Sequence, residues 1–409
     1  MGERSMPRPY SGALEAQAAA TVASAGVSAA QTTATRVLQP SVAPRRLRPG
    51  RPLDLAAIEV SSAGREPGTA VDVLERWGTR MFVVLHRGEL VAEHMEANHD
   101  PARLQKCYSV TKSMMGTVLA ELMVRGIVSR DTSVVEVLPE LAGSAFDGAA
   151  VGHVADMTVP LAYIEDYAEI AGGSSGRRGH DFGDYVVALG MEEDGVDVAA
   201  DAPRTIREFL PQLDAPVSDG SAVEPGAVFQ YATPVTDVLG WLIERLVGID
   251  AATLVEQQIW DVSGASAPAT WDLDAAGTPM VGAGLAMTTT DLARIGSVLA
   301  ECARGEGPDG SISRAALDEV RGGGSVEAFA ADEHYAYLRD YSYRDQWWIP
   351  QGPGAAFSGW GIYGQFLWVD PDAEVVLACH GRGGTPGDPA RDAEQHALCA
   401  AIVGELADR

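Results

Sequence analysis

The spacing of apolar positions changes several times along the chain, and each change marks an element. Met81 to Met95 (MFVVLHRGELVAEHM) is two apolar runs around Arg87-Gly88, which predicts a β-hairpin. From Ser109 to Gly126 the period lengthens: Val110, Met114, Val118, Leu122 and Met123 recur on one side of a helix that Gly126 stops. Thr233-Pro234 opens a second helix, with Thr233 as N-cap, Pro234 in the first turn and Asp237 near the positive end of the dipole; it runs to Gly248. Leu285 to Ala303 reads as another helix and Gln365 to Cys379 (QFLWVDPDAEVVLAC) as a hairpin turning on Asp370-Pro371-Asp372. Asp388 to Asp408 reads as an amphipathic terminal helix.

From about 130 to 225 strand signal is sparse and turn residues are frequent, as in a helical, loop-rich insertion. Residues 1 to about 50, rich in Ala, Pro and Arg, read as a mobile or surface-hugging extension. Strands near both ends with helices between predict an α+β fold: an antiparallel sheet formed by both chain ends, flanked by helices, with a mainly helical domain inserted. The expected divisions are an extension over 1–70, the first part of the α/β domain over 71–130, the insertion over 131–275 and the second part of the α/β domain over 276–409.

Composition narrows the chemistry. The 409 residues carry a formal charge of −27, which repels phosphate backbones and anionic lipids, so neither nucleic acid nor a membrane surface is an expected partner. No stretch approaches the ~18 apolar residues of a membrane span. The four cysteines have no paired short spacing and read as buried thiols in a reducing compartment. No basic start followed by a Leu-rich run opens the chain, so the expected location is cytoplasmic. The histidines form neither H-E-x-x-H nor H-x-H, and no metal or other cofactor is expected. His380 either borders a cleft or is a satisfied or surface histidine. Of the 30 basic residues only Lys106 and Lys112 are lysine, and neither stands in a phosphate-loop frame.

Ser109-Val110-Thr111-Lys112 is an S-x-x-K motif at a helix start. With 24 serines and two lysines, chance alone expects about 0.1 such pairs. On a helix, residues i and i+3 share a face, so the lysine amine can reach the serine oxygen. A desolvated lysine loses its proton more easily and can act as a base. The helix N-terminus adds a backbone N–H for an oxyanion. A surface Ser–Lys pair is the plainer alternative. Phe229-Gln230-Tyr231-Ala232-Thr233 is the second candidate segment: Tyr231 stands at a loop-to-helix junction, where a lysine ammonium would make its phenolate accessible. Ser358 to Gln365 (SGWGIYGQ) is the third. Its glycines fit G-x-G-x-x-G, but a strand follows instead of a helix, which excludes a dinucleotide site. A Gly-rich lead-in to a strand lets backbone N–H groups approach a ligand.

Together these segments resemble the S-x-x-K serine hydrolases of the β-lactamase and penicillin-binding superfamily, and are most similar to the 6-aminohexanoate-dimer (nylon-oligomer) hydrolases and related esterases. The strings are YSVTKS at 108–113, DMTVPL and EDY within 156–167, FQYATPVTDVLGWLIERLVG at 229–248, MTTTDLARIG at 287–296, and RDQWW with SGWGIYGQFLWVDP within 344–371. They span roughly residues 80 to 405. The resemblance implies a β-lactamase-like fold in which Ser109 is the acylated nucleophile, Lys112 its base and Tyr231 the proton shuttle to the leaving group. It implies an oxyanion hole from the N–H groups of Ser109 and Ile362. It also implies that Tyr167 holds the scissile amide nitrogen, Asp181 binds a substrate amine and Trp348 lines that pocket. Thr233 and Val235 depart from the Ser or Asn and the Asn usual in the family, and Gly282 replaces an asparagine. Trp360 and Tyr363 replace smaller or imidazole-bearing residues and suggest an aromatic-walled substrate site.

The expected substrate is a small-molecule amide or ester. Both lysines are spent by residue 112, so the K-T-G lysine of β-lactamases and transpeptidases has no counterpart. An acyltransferase or cyclase using the same acyl-serine is one alternative, and a non-catalytic binding module on this fold is another. A homodimer is compatible with the sequence.

Overall fold

The computed structural model describes residues 34–163, 165, 182–191, 200, 202–218, 221–335, 337–351, 356–382, 388–407 and 409. Its main helices are α1 (Ala70–Arg76), α2 (Val110–Val124), α3 (Phe182–Ala188), α4 (Thr233–Val247), α5 (Thr289–Arg304) and α6 (Pro389–Ala407).

An eight-stranded sheet forms the backbone of the molecule. In spatial order it runs Tyr341–Arg344, Trp347–Pro350, Phe357–Gly361, Gln365–Asp370, Val375–Gly381, Thr79–His86, Glu89–Met95 and Arg48–Pro49. Its centre is the antiparallel pairing of Val375–Gly381 with Thr79–His86, which joins the two chain ends as expected. The Thr79–His86 hairpin turns through Arg87 and Gly88, both at positive φ, the left-handed geometry that suits a two-residue hairpin turn. Strands at the sheet centre are apolar along their whole length because both faces are covered: Phe82 to Leu85 and Val375 to Cys379 are all buried. Helix α5 packs against the central strands, with Leu292, Ile295 and Leu299 on its buried face.

A second, four-stranded antiparallel sheet was not anticipated. Its order is Thr35–Leu38, Ala269–Asp272, Leu285–Met287 and Gln105–Lys106. Two expectations change because of it. Leu285–Met287 is a strand, and α5 starts only at Thr289, capped by the Thr288 hydroxyl. Residues 34 to 70 follow the surface-hugging branch of the reading: Thr35–Leu38 pairs with Ala269–Asp272, and Leu38, Leu53, Leu55 and Ile58 enter the core. Two short strands are too weak in pattern to be seen from sequence, because each pairs over only two or three residues.

The Gly-rich 358–365 segment also differs from its reading. It is not a lead-in: Phe357–Gly361 is itself an interior strand, paired with Gln365–Asp370 across the three-residue turn Ile362–Gly364. Among the described residues no helix is long and apolar enough to cross a membrane.

Candidate active site

Ser109 lies where the second sheet hands the chain to α2. The Gln105–Lys106 strand is pinned to Leu285–Met287, and the Cys107 N–H donates to the Leu285 carbonyl at 2.8 Å. Tyr108 then turns the corner at φ +46°, a backbone conformation disfavoured for an aromatic residue and retained where surroundings enforce it. Ser109 begins the helix without capping it, so its hydroxyl is free for other partners. Of the two lysines, Lys106 is committed elsewhere, in an ion pair with the buried Asp272.

Lys112 follows one helical turn after Ser109 and is 1% exposed. Its Nζ donates to Ser109 Oγ at 2.8 Å, Thr233 Oγ1 at 3.0 Å and the Gly282 carbonyl at 2.7 Å. Burial pulls its pKa from the usual 10.5 down to about 8, with the carboxylates of Glu165 and Asp237 limiting the fall. The three partners have unequal roles. A carbonyl only accepts, and the Thr233 hydroxyl spends its own hydrogen on Glu165 Oε1 at 2.6 Å. A neutral amine has two hydrogens and one lone pair. With its hydrogens fixed by Thr233 and Gly282, the lone pair faces Ser109 Oγ.

Thr233 is therefore not the N-cap of α4. That position is Ala232, and the Thr233 N–H and hydroxyl both bond Glu165. Gly282 can be nothing larger, because a Cβ there would lie 2.5 Å from Thr233 Cγ2. The glycine that departs from the family pattern thus supplies a backbone acceptor through a close approach.

Tyr231 precedes α4, with the Lys112 ammonium 5.1 Å from its ring centroid. Burial pushes its phenol well above the usual value, opposed by a side-chain hydrogen bond with Ser109. Burial, with the Glu165 carboxylate acting in the same direction, favours the neutral phenol over the phenolate as the resting group. Its ring stacks on Trp348 at 5.6 Å, and Trp348 stacks on Trp360 at 4.8 Å. Tyr335 and Tyr343 pack their edges on Trp348. Trp348 and Trp360 are 3% and 8% exposed, so they chiefly buttress Tyr231.

The end of the Phe357–Gly361 strand closes on the nucleophile. A Cβ on Gly361 would sit 2.5 Å from the Cys107 carbonyl oxygen and 3.3 Å from the Ser109 nitrogen, so only glycine permits this approach. Ile362 follows immediately and is half-buried. Tyr363, at φ +64°, meets Tyr108 edge to face at 5.6 Å.

The structure brings together Ser109, Lys112 and Tyr231, and Ile362 is the residue after Gly361, which packs against the backbone at Cys107 and Ser109. Tyr167 and Asp181 lie outside the described residues. His380 is a satisfied buried histidine, its Nδ1 2.9 Å from Thr289 Oγ1. All four cysteines are free and buried. Among the described residues no three His, Cys, Asp or Glu side chains gather as a metal site. Glu165, Asp237 and the acceptor role of Gly282 escaped sequence reasoning. Asp237 carried a partial signal, an acid one turn after Thr233 on a strongly apolar helix.

The beta-lactamase family model matches residues 59–401. The 6-aminohexanoate-dimer hydrolase of Paenarthrobacter ureafaciens is 33% identical over 341 residues, 83% of this chain and 81% of the relative. A solved structure assigned as a 6-aminohexanoate-dimer hydrolase from Bacillus anthracis superposes with a TM-score of 0.76 at 22% identity, covering 91% of each chain. EstCE1, a hydrolase with promiscuous acyltransferase activity, shares the fold with a TM-score of 0.56 at 14% identity, over 82% of this chain and 98% of its own.

Proposed function

Since the chain belongs to the beta-lactamase family, we propose that it is a serine hydrolase that cleaves a small amide or ester through an acyl-enzyme on Ser109. The observation that carries this is the buried Lys112, whose amine meets Ser109 Oγ at 2.8 Å and whose other two partners are both acceptors. In the first half-reaction Ser109 Oγ bonds to the substrate carbonyl carbon while its proton passes to Lys112 Nζ. The backbone N–H groups of Ser109 and Ile362 stabilise the oxyanion, a contribution of about 3 to 4 kcal/mol per donor in comparable sites. Tyr231 gives its proton to the departing nitrogen or oxygen and is reprotonated from Lys112. Water then attacks the acyl-serine by the reverse proton path, releasing the acid and restoring Ser109.

The relative's name, 6-aminohexanoate-dimer hydrolase, supports a small amide or ester as substrate. Four free, buried thiols support a reducing, cytoplasmic setting.

The test is incubation of the wild type and Ser109→Ala with p-nitrophenyl esters and linear ω-amino amides, followed by intact-mass spectrometry. A stoichiometric acyl adduct on the wild type, absent from Ser109→Ala, is the expected result. Full turnover by Ser109→Ala would overturn the mechanism, and turnover only with an added amine or alcohol acceptor would replace hydrolysis by acyl transfer.

A further inference from the structure

The acceptor that orients Lys112 is itself held from behind. The Gly282 carbonyl takes the Lys112 hydrogen bond, and on the same residue the N–H donates to Asp237 Oδ1 at 3.2 Å. The other carboxylate oxygen, Oδ2, accepts from the Tyr185 hydroxyl. Lys112, Asp237 and Tyr185 are 1%, 3% and 2% exposed, so no water competes strongly for these bonds. Three separate elements contribute: α2 gives the lysine, α4 the aspartate and α3 the tyrosine.

We propose that Asp237 is a positioning residue for Lys112, acting through the Gly282 backbone and fixed in turn by Tyr185. It touches neither Ser109 nor substrate. Its first effect is geometric. A buried carboxylate is costly without partners, and here its partners are a backbone N–H and a phenol O–H on opposite oxygens. Those bonds leave the Gly282 backbone one favourable position, in which its carbonyl points at the amine. The residue's second effect is electrostatic, since a charge here favours the ammonium over the amine.

The groups facing Asp237 come from every neighbouring element. Lys112 favours its ionised form, Tyr185 donates to it, and Asp274 opposes its charge. Arg207 and Glu244, paired with each other at 2.5 Å, line a small cavity that Asp237 also borders. Glu165 also favours the Lys112 ammonium and accepts from the Thr233 hydroxyl, another partner of the amine. Burial carries the Asp237 carboxyl up to about 7, so it and the lysine titrate in adjoining ranges.

This inference rests on Lys112 serving as the base, but its test does not need catalysis. The chain has only two lysines, so lysine labelled with carbon-13 at Cε gives two titrating signals, and Lys106→Arg assigns them. In Asp237→Asn the amide keeps an acceptor for the Gly282 N–H while the charge is lost. The expected result is that the Lys112 midpoint moves to lower pH, with Tyr185→Phe shifting it in the same direction by less. Asp237→Ala, which loses the anchor, should lower kcat by about tenfold or more with little change in KM. Asp237→Asn should recover most of that kcat at alkaline pH.

An unmoved Lys112 midpoint in Asp237→Asn would overturn the proposal, as would equal kcat losses in the Ala and Asn variants. If the wild type forms no Ser109 adduct, the hydrolase reading fails on its own, and the lysine titration still judges the coupling.

Discussion

Lys112 has oxygen on three sides, and its charge decides which of them receive a hydrogen. As an ammonium it donates to all three and cannot take the Ser109 proton. As an amine it presents its lone pair to Ser109. Because burial brings its pKa to about 8, kcat/KM for a neutral ester should rise about tenfold per unit on the acidic side and level off above pH 8. A profile flat from pH 6 to 9 would remove Lys112 as the base. Replacing it by arginine keeps a cation that does not deprotonate, so acylation should fall about 10²- to 10⁴-fold while the fold survives, read as the burst rate with a p-nitrophenyl ester. Tyr231 separates two substrates. A nitrophenolate leaves without a proton and an amine does not, so Tyr231→Phe should cost an amide substrate far more than a p-nitrophenyl ester. Equal losses on both would show that the ring's packing on Trp348, not its hydroxyl, is what matters.

At the level of elements, the site is a junction of α2, α4, the Phe357–Gly361 strand and the loop carrying Gly282. Under the proposed mechanism Ile362 shares an oxyanion with Ser109, and the close approach of Gly361 to the Cys107 carbonyl and the Ser109 nitrogen sets that distance. Gly361→Ala puts a methyl 2.5 Å from a backbone oxygen, so the strand end must retreat. Its expected signature is a kcat loss of about 10²-fold with a much smaller fall in thermal stability, compared by steady-state kinetics and melting. The same elements show what a sequence reveals. Ser109 and Lys112 were legible because their contact is local, three residues apart on one helix. Tyr231 was legible through its motif. Glu165, Asp237 and Gly282 reach Lys112 from positions more than fifty residues away, and nothing in local spacing announces such contacts. Thr233 misled for a related reason: its type and place fit an N-cap, but tertiary partners claimed its hydroxyl. The main sheet was readable from two strong hairpins, whereas the second sheet, with strands of two to four residues, was not.

For the whole molecule, residues 34–69, ahead of α1, are a structural part of the domain that carries the site. The sheet that ends at Gln105–Lys106, three residues before Ser109, has Thr35–Leu38 as its opposite edge. Two kinds of force hold that edge. Leu38 is fully buried, and the Trp260 indole N–H donates to the Gln39 carbonyl at 2.6 Å. Arg36 joins Asp250 at 2.9 Å and Glu256 at 2.5 Å, each side chain about a quarter to a third exposed. A basic segment thus docks on a body that dominates a net charge of −27. The two contributions respond differently to salt. Leu38→Ala should cost about 2 to 5 kcal/mol at any ionic strength, because lost apolar burial is not screened. Arg36→Ala should cost less, and its cost should shrink between 20 and 500 mM NaCl as the Debye length falls from about 20 Å to about 4 Å. Urea midpoints of the two variants at both salt concentrations decide it. If Leu38→Ala leaves the midpoint unchanged, the segment is not part of the cooperative fold, and the sheet beneath Ser109 is stable without it.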